Sequence, residues 1–520
     1  MLMPSTASSE EAYNADACDQ KEIGWTPTER EFWKAACTKT FVDLKTVDGD
    51  KGTLTASFLV SILTRSPYKD KLQSRPFIVR NARINGRLDL TAQSIPTSLL
   101  AFVNCDIEGN VNLTQVRASG SVNFVGTNLD EGITIQSATI DGSLGLGPSS
   151  ARRRIRVKSV IGDGARVLGG LQISHARVPE ALSLISLETT FLAITSSEVA
   201  STTLANSKIN GQLRLTDTVF SKPTTTDPDQ EFSINLFSAT VTGDVFFNRS
   251  IFQAAANFES AKIGGSVRLL GVRVHSIYAR GATTWALIIG EVASRPNAPK
   301  IKTIWDQHSI FDLSYAKIGI ISTPYDEHYW PEELKLTNFD VKGFDFEWYA
   351  PDREVKQRTG EWLKNWLAKQ PQFSSQPYHR IESMLLDSGN GLAASAVGYA
   401  RRDRERKQAW QDGEFGTAIF LTFSKCVIGY GYQSWLSIGW ALGFVVLGAA
   451  VFRRTRAAKS ENMPFGFAYS FDMLLPLVKL RDKHYRIEIG GLARYYFYAH
   501  KLIGWLLGFF IVAALSGISK

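Results

Sequence analysis

The stretch Ala82-Arg83-Ile84-Asn85-Gly86-Arg87-Leu88-Asp89-Leu90 decides how the rest of the chain is read. Every second residue, with Gly86 in the inward register, is small or apolar, and the residues between are polar. That is the period of a strand with one buried and one wet face. The phrase apolar-x-Gly-x-apolar-x-apolar returns at Ile107–Leu113, Ala118–Phe124, Ile140–Leu146, Ile209–Leu215, Val241–Phe247 and Ile263–Leu269. Looser copies stand at Leu129–Ile135 and Val167–Ile173. The glycine falls where a corner brings the backbone of one copy close to the next. Glycines 109, 120, 132 and 142 are 11, 12 and 10 residues apart, so two phrases make a unit of about 22 residues. Such a unit buries nothing alone and must stack on its neighbours. The expected fold is therefore mainly β: a right-handed parallel β-helix, or solenoid, of roughly a dozen coils over residues 77–350.

Outward from the repeat, residues 1–23 read as a disordered polar tail. Residues 24–76 read as a helical cap. Thr26-Pro27-Thr28-Glu29 carries a capping box, and the helix after it would bury Phe32, Trp33 and Ala36. A second helix near Thr55–Leu63 completes the cover of the exposed strand edge. Two insertions interrupt the repeat. The basic run Arg152–Lys158 reads as a solvated loop rather than a nucleic-acid patch, and residues 222–231 read as a surface loop. From 351 to 411 the period becomes helical, with Trp362, Leu363, Trp366 and Leu367 on one face and Tyr378, Ile381 and Leu385 on the next. That segment is expected to be a helical hairpin capping the other end.

Charge separates the segment 412–520, read as a membrane domain, from the rest. The whole chain carries a formal net charge of +8, whereas residues 401–520 alone hold 17 Lys or Arg against 8 Asp or Glu. The repeat thus has no net basic field for a nucleic acid. The excess lies beside the most apolar part of the chain, a membrane signature. Trp435–Phe452 and Leu502–Ile518 are uncharged runs, read as two spans of a C-terminal transmembrane hairpin. Residues 415–430 read as an interfacial helix. Arg401, Arg402, Arg404, Arg406 and Lys407, with Arg453, Arg454 and Arg456, are the expected contacts to anionic headgroups. Asp472 and His500 are polar groups near or in the apolar segments, where such residues are often functional. The four cysteines are scattered and read as free thiols of a reducing compartment.

Several stretches resemble a bacterial family of membrane-anchored β-helix proteins, pentapeptide-repeat-like, some of them labelled membrane-associated oxidoreductase. They are Thr26–Leu44, Leu54–Leu90, Gln376–Arg402, Gly429-Tyr-Gly-Tyr432, Tyr469-Ser-Phe-Asp-Met-Leu-Leu-Pro476, and Gly504-Trp505 with Val512–Gly517. The resemblance implies membrane anchoring and no particular reaction. The repeat departs from a strict five-residue pattern.

No motif for chemistry stands out. Seven histidines show no metal spacing, and neither Gly145-Leu-Gly147 nor Gly162-Asp-Gly164 opens a dinucleotide loop. No metal or cofactor is expected. The outward row Asp89, Asn112, Asn123, Thr134, Gly145, Gln172, Arg214, Phe246 and Arg268 holds one carboxylate, against a polysaccharide lyase or hydrolase. Asn112 and Asn123 are expected to stack as a ladder. The functional expectation is a membrane-anchored, non-catalytic scaffold or protein-interaction platform. The alternative is a pore-forming or signalling effector with the repeat as sensor, and a carbohydrate-active or redox enzyme ranks below both. The expected partners are anionic lipid and a protein on the repeat, with a homo-oligomer left open and no nucleic acid. The expected place is the bacterial inner membrane, multi-pass, with the repeat in the cytoplasm because Met1–Asn14 lacks an apolar core.

Overall fold

The ladder of strands follows the repeat. Between Pro76 and Asn257 the strands are two to five residues long and pair in parallel with the strand one unit later. Arg117–Ala118 pairs with Thr139–Ile140, and Ser121–Val125 with Ser143–Gly147. The spacing widens from Thr139 to its partner Arg166, across the basic run, and from Lys208 to its partner Thr240, across the 222–231 loop. The computed structural model describes residues 18–19, 24–45, 51–150, 153–222, 232–295, 298–346, 352–433, 435–455, 466–475 and 479–515. The chain forms two compact units, residues 1–349 with 369–371, and residues 350–368 with 372–520. Most of the expected tail, the 223–231 part of the loop, Arg456 and residues 516–518 lie outside the described residues.

The expected fold class is corrected. The chain is not a mainly-β solenoid. Helix and strand each account for 32%, with four parallel sheets and 11 helices among the described residues, so it is an α/β parallel fold. Two physical facts account for the difference. Each phrase of the repeat yields a strand of only a few residues, because corner residues break the ladder. Asn81, Asn104, Gln115, Ser137, Asn206, Ser238 and Ser260 all stand at positive φ. Asn and Ser tolerate that region better than branched residues. Outside the repeat, most described residues are helical.

Burial within the phrase alternates as expected except at Gly86, which is exposed where the strand turns its corner instead of facing inward. Ala82, Ile84, Leu88 and Leu90 are fully buried, while Arg83, Asn85 and Arg87 are exposed. The glycines mark close backbone approach. A Cβ at Gly109 would overlap the Gly86 carbonyl, and one at Gly243 would sit 2.9 Å from the Gly211 oxygen. Asn112 and Asn123 do not stack. Asn112 faces Asp89 and Thr134 in one sheet, whereas Asn123 faces Ala101 and Gly145 in another. The distance between them along the chain is half a unit, so it carries a side chain to a different sheet.

The two expected N-terminal helices form, and the strands Phe41–Asp43 and Gly52–Thr55 of the same segment pair in parallel with Pro76–Arg80 and Ala82–Asn85. Helix α1 (Pro27–Thr38) buries Phe32, Trp33 and Ala36, and α2 (Ala56–Thr64) buries Phe58, Leu59, Ile62 and Leu63. The short α3 (Tyr68–Lys71) follows. Glu29 ties the first two together. Its Oε2 accepts from Thr26 N–H at 2.7 Å, and its Oε1 accepts from the N–H and hydroxyl of Thr55, the N-cap of α2, at 2.8 and 2.5 Å. Burial alone would raise the Glu29 pKa, but these hydrogen bonds hold it below 4.5. Cys18 and Cys37 form a disulfide, which corrects the expectation of free thiols. Cys105 and Cys426 are free.

The second unit is helical in its described residues: α4 (Asp352–Ala368), α5 (Ser375–Asp387), α6 (Gly391–Gln411), α7 (Phe415–Ile428), α8 (Trp435–Phe452), α9 (Phe467–Leu474), α10 (Asp482–Tyr485) and α11 (Leu492–Leu515). The apolar faces of α4 and α5 are buried as read, with Trp362, Leu363, Trp366, Leu367, Tyr378 and Ile381 inside. Helix α7 ends at Gly429 in the left-handed region, and the Trp440 indole N–H donates to the Cys426 carbonyl at 2.9 Å, fastening α8 to α7. The last helix starts at Leu492, well before the span expected from Leu502.

Candidate functional site

The sequence places the basic run of α6 at a membrane surface. In the structure most of it is engaged inside its own unit. Arg401 is buried, 3.6 Å from Glu382, which also accepts from the Tyr432 hydroxyl at 2.6 Å. Arg404 donates to the Leu367 carbonyl at 3.2 Å, closing the C-terminus of α4, and to the Tyr378 hydroxyl at 3.3 Å. Arg402 pairs with Glu405 at 2.9 Å. Asp403 is the hub, 2.6 Å from Lys425, 3.2 Å from Arg406 and 3.3 Å from Lys407, with Tyr430 donating at 3.3 Å. Burial would raise its pKa, yet Lys425 and the other donors hold it at about 2. Burial of the phenol pushes Tyr430 up to about 12. A basic stretch of sequence therefore does not make a free cationic face. Its side chains reach carboxylates, carbonyls and phenols on the same helix and its neighbours. Lys407 remains largely exposed, as do Arg453 and Arg454 at the end of α8.

Asp472 and His500 are both fully buried, and α9 joins them. The Asp472 carboxylate accepts from His484 Nδ1 at 2.8 Å and from Leu480 N–H at 2.9 Å, and Tyr485 donates to its carbonyl at 3.0 Å. Burial raises the Asp472 pKa, and these donors outweigh it. Two residues earlier on α9, the Ser470 carbonyl lies 3.0 Å from His500 Nε2, and the Tyr496 hydroxyl lies 3.3 Å from His500 Nδ1. Glycines make room for this network. A Cβ at Gly448 would strike Ser470 Oγ and sit 2.7 Å from His500 Cε1, and one at Gly504 would strike the Leu474 carbonyl. Close helix approach at small residues, with polar groups linking the helices, is how apolar helices associate in lipid. The arrangement satisfies buried polar groups. Among the described residues it presents no cluster of three His, Cys, Asp or Glu able to hold a metal.

Sequence reasoning missed a cleft in the first unit. Trp305, Asp306, Gln307, Ser309, Tyr325–His328, Trp330–Glu332 and Lys369 enclose about 540 Å³. Its parts come from three separate pieces of chain, beyond the point where the phrase is clear. The aromatic rings are fixed: Trp305 Nε1 donates to the Tyr329 carbonyl at 2.8 Å, Trp330 Nε1 donates to Thr323 Oγ1 at 3.0 Å, and Tyr325 stacks on Phe346 with centroids 4.2 Å apart. Each carboxylate has a basic side chain beside it. Asp306 is 3.2 Å from Arg273, Asp326 accepts from His328 at 2.6 Å, and Glu332 is 3.6 Å from His308. Lys369 donates to the Pro331 carbonyl at 2.9 Å. Burial pushes its pKa down, while Glu327 and Glu332 pull it up.

Away from the cleft, Arg154 and Lys158 of the basic run are also engaged by carboxylates. Arg154 meets Glu198 at 3.5 Å, and Lys158 meets Glu131 at 2.7 Å. Comparison of the chain with protein-family models, curated proteins and solved structures finds no match.

Proposed function

We propose that this chain is a membrane-anchored binding platform. The C-terminal unit lies in a bilayer through α8 and α11, and the repetitive parallel strands carry a surface for a partner or ligand. One observation carries the reading. Trp435–Phe452 and Leu492–Val512 have mean hydropathies of 2.0 and 1.2, yet only 28% and 17% of their apolar windows is buried. A helix of that composition in a water-soluble core would be covered on most sides. Here Leu442, Phe509 and Leu502 all stand well exposed, at 61%, 65% and 64%. The exposed Phe420, Phe423 and Ile419 give α7 a third apolar face, suited to the interface.

Two features bear on the side of the membrane. The Cys18–Cys37 disulfide suits an oxidising compartment. Residues 453–491, between the spans, hold eight Lys or Arg, which favours keeping that loop in the cytoplasm. Both support a repeat unit on the outer face of the inner membrane, opposite to the cytoplasmic expectation from the N-terminal residues. The test of anchoring is fractionation of cells expressing the full chain. The reading expects recovery in the membrane pellet after lysis without detergent, and recovery in the supernatant would sink it.

A further inference from the structure

We infer that the cleft formed by residues 305–309, 325–332 and Lys369 binds a neutral, hydroxyl-rich ring, a mono- or disaccharide. Its volume of about 540 Å³ falls in the range of small-molecule sites. Ser309 supplies an independent sign of a missing partner. Its side chain is fully buried at the cleft wall, and its hydroxyl has no hydrogen-bond partner among the described residues. A buried hydroxyl left unpaired is costly and is filled by a ligand group or water.

The class of ligand follows from the mixture of groups. Asp306, Asp326 and Glu332 offer acceptors, while the Lys369 ammonium and the Ser309 hydroxyl offer donors. A cationic ligand would meet Lys369, and an anionic one would meet the carboxylates. A sugar hydroxyl donates and accepts at once, so it satisfies both kinds of group without adding charge. The apolar C–H face of a pyranose suits the wall made by Trp305 and Tyr325, whose rings are already held by the Tyr329 carbonyl and by Phe346. Preorganised rings lose little entropy when the ligand seats.

The inference rests on the reading of the repeat unit as a binding surface, and not on membrane anchoring. The experiment therefore uses full-length protein in a detergent without a sugar headgroup. Glucose, galactose, N-acetylglucosamine and their disaccharides are titrated by calorimetry, with glucosamine and glucuronate as charged controls. Saturable binding of at least one neutral saccharide is expected, weakened about tenfold by Ser309→Ala and by Lys369→Met. Ser309→Ala removes an unpaired hydroxyl, so it is expected to melt no lower than the wild type, and it reads binding apart from folding. No binding by any neutral probe overturns the inference. So does tighter binding of a charged probe, or binding unchanged in both variants. Failure of membrane recovery would leave a positive sugar result standing, which keeps the two readings apart.

Discussion

Glu29 shows how much one side chain can organise. It completes the N-cap of α1 through Thr26 and also holds the Thr55 cap of α2, far along the chain. Its replacement by Ala leaves the Thr26 and Thr55 N–H groups without that carboxylate and costs about 2–3 kcal/mol. The effect depends on pH with a definite sign. A carboxylate whose folded pKa lies below 4.5 adds stability above that value and loses it as pH falls through the lowered folded value. Thermal melts of the wild type should therefore drop in the acid range, and Glu29→Ala should flatten that part of the curve. An unchanged acid slope in the variant would remove Glu29 from this role. The capping box is legible in Thr26-Pro27-Thr28-Glu29, because the first partner lies within one helical turn. The second partner is a tertiary contact that no local pattern announces. Ser309 is illegible for the same reason, since the cleft around it is assembled from pieces as far apart in the chain as Trp305 and Lys369.

At the scale of elements, the helix packing around α9 turns on two glycines. Gly504→Ala would press a methyl into the Leu474 carbonyl, and Gly448→Ala into Ser470 and His500. Each should destabilise the C-terminal unit by about 1–3 kcal/mol, the usual cost of overpacking. Gly443→Ala, with nothing within 4 Å of the new carbon, is the control and should lie within about 0.5 kcal/mol of the wild type. Detergent-resistant melting read by tryptophan fluorescence compares the three. Equal melting temperatures for all three would contradict the packing described. The strands are the most legible elements. The alternation Ala82, Ile84, Leu88, Leu90 marks its buried face because a period of two admits one register. The share of helix is underestimated from sequence because the repeat dominates the pattern, although Trp362–Leu367 and Tyr378–Leu385 carry the helical period in plain view. The basic run on α6 misleads for another reason. Counting Arg401–Lys407 gives charge but not the positions of Glu382, Asp403 and the Leu367 carbonyl that take it up.

For the whole molecule, one chain carries a unit of repetitive parallel strands and a helical unit with two exposed apolar helices. Its orientation can be read with one engineered cysteine. Placed in the 222–231 loop of a chain carrying Cys426→Ser, it should react with an impermeant maleimide on cells with a permeabilised outer membrane. One placed near Glu461 should be protected. The opposite pattern would put the repeat in the cytoplasm. The central claim, anchoring by α8 and α11, is tested most directly by alkaline carbonate extraction of membranes. Wild-type protein is compared with the double variant Leu442→Lys, Phe509→Lys. Each charge at a lipid-facing position of a span costs about 2.5–3.5 kcal/mol, whereas on a water-exposed helix it costs little. The wild type is predicted to stay in the pellet and the double variant to be lost from it. Release of the wild type into the supernatant, or equal pelleting of both proteins, would contradict anchoring by these helices.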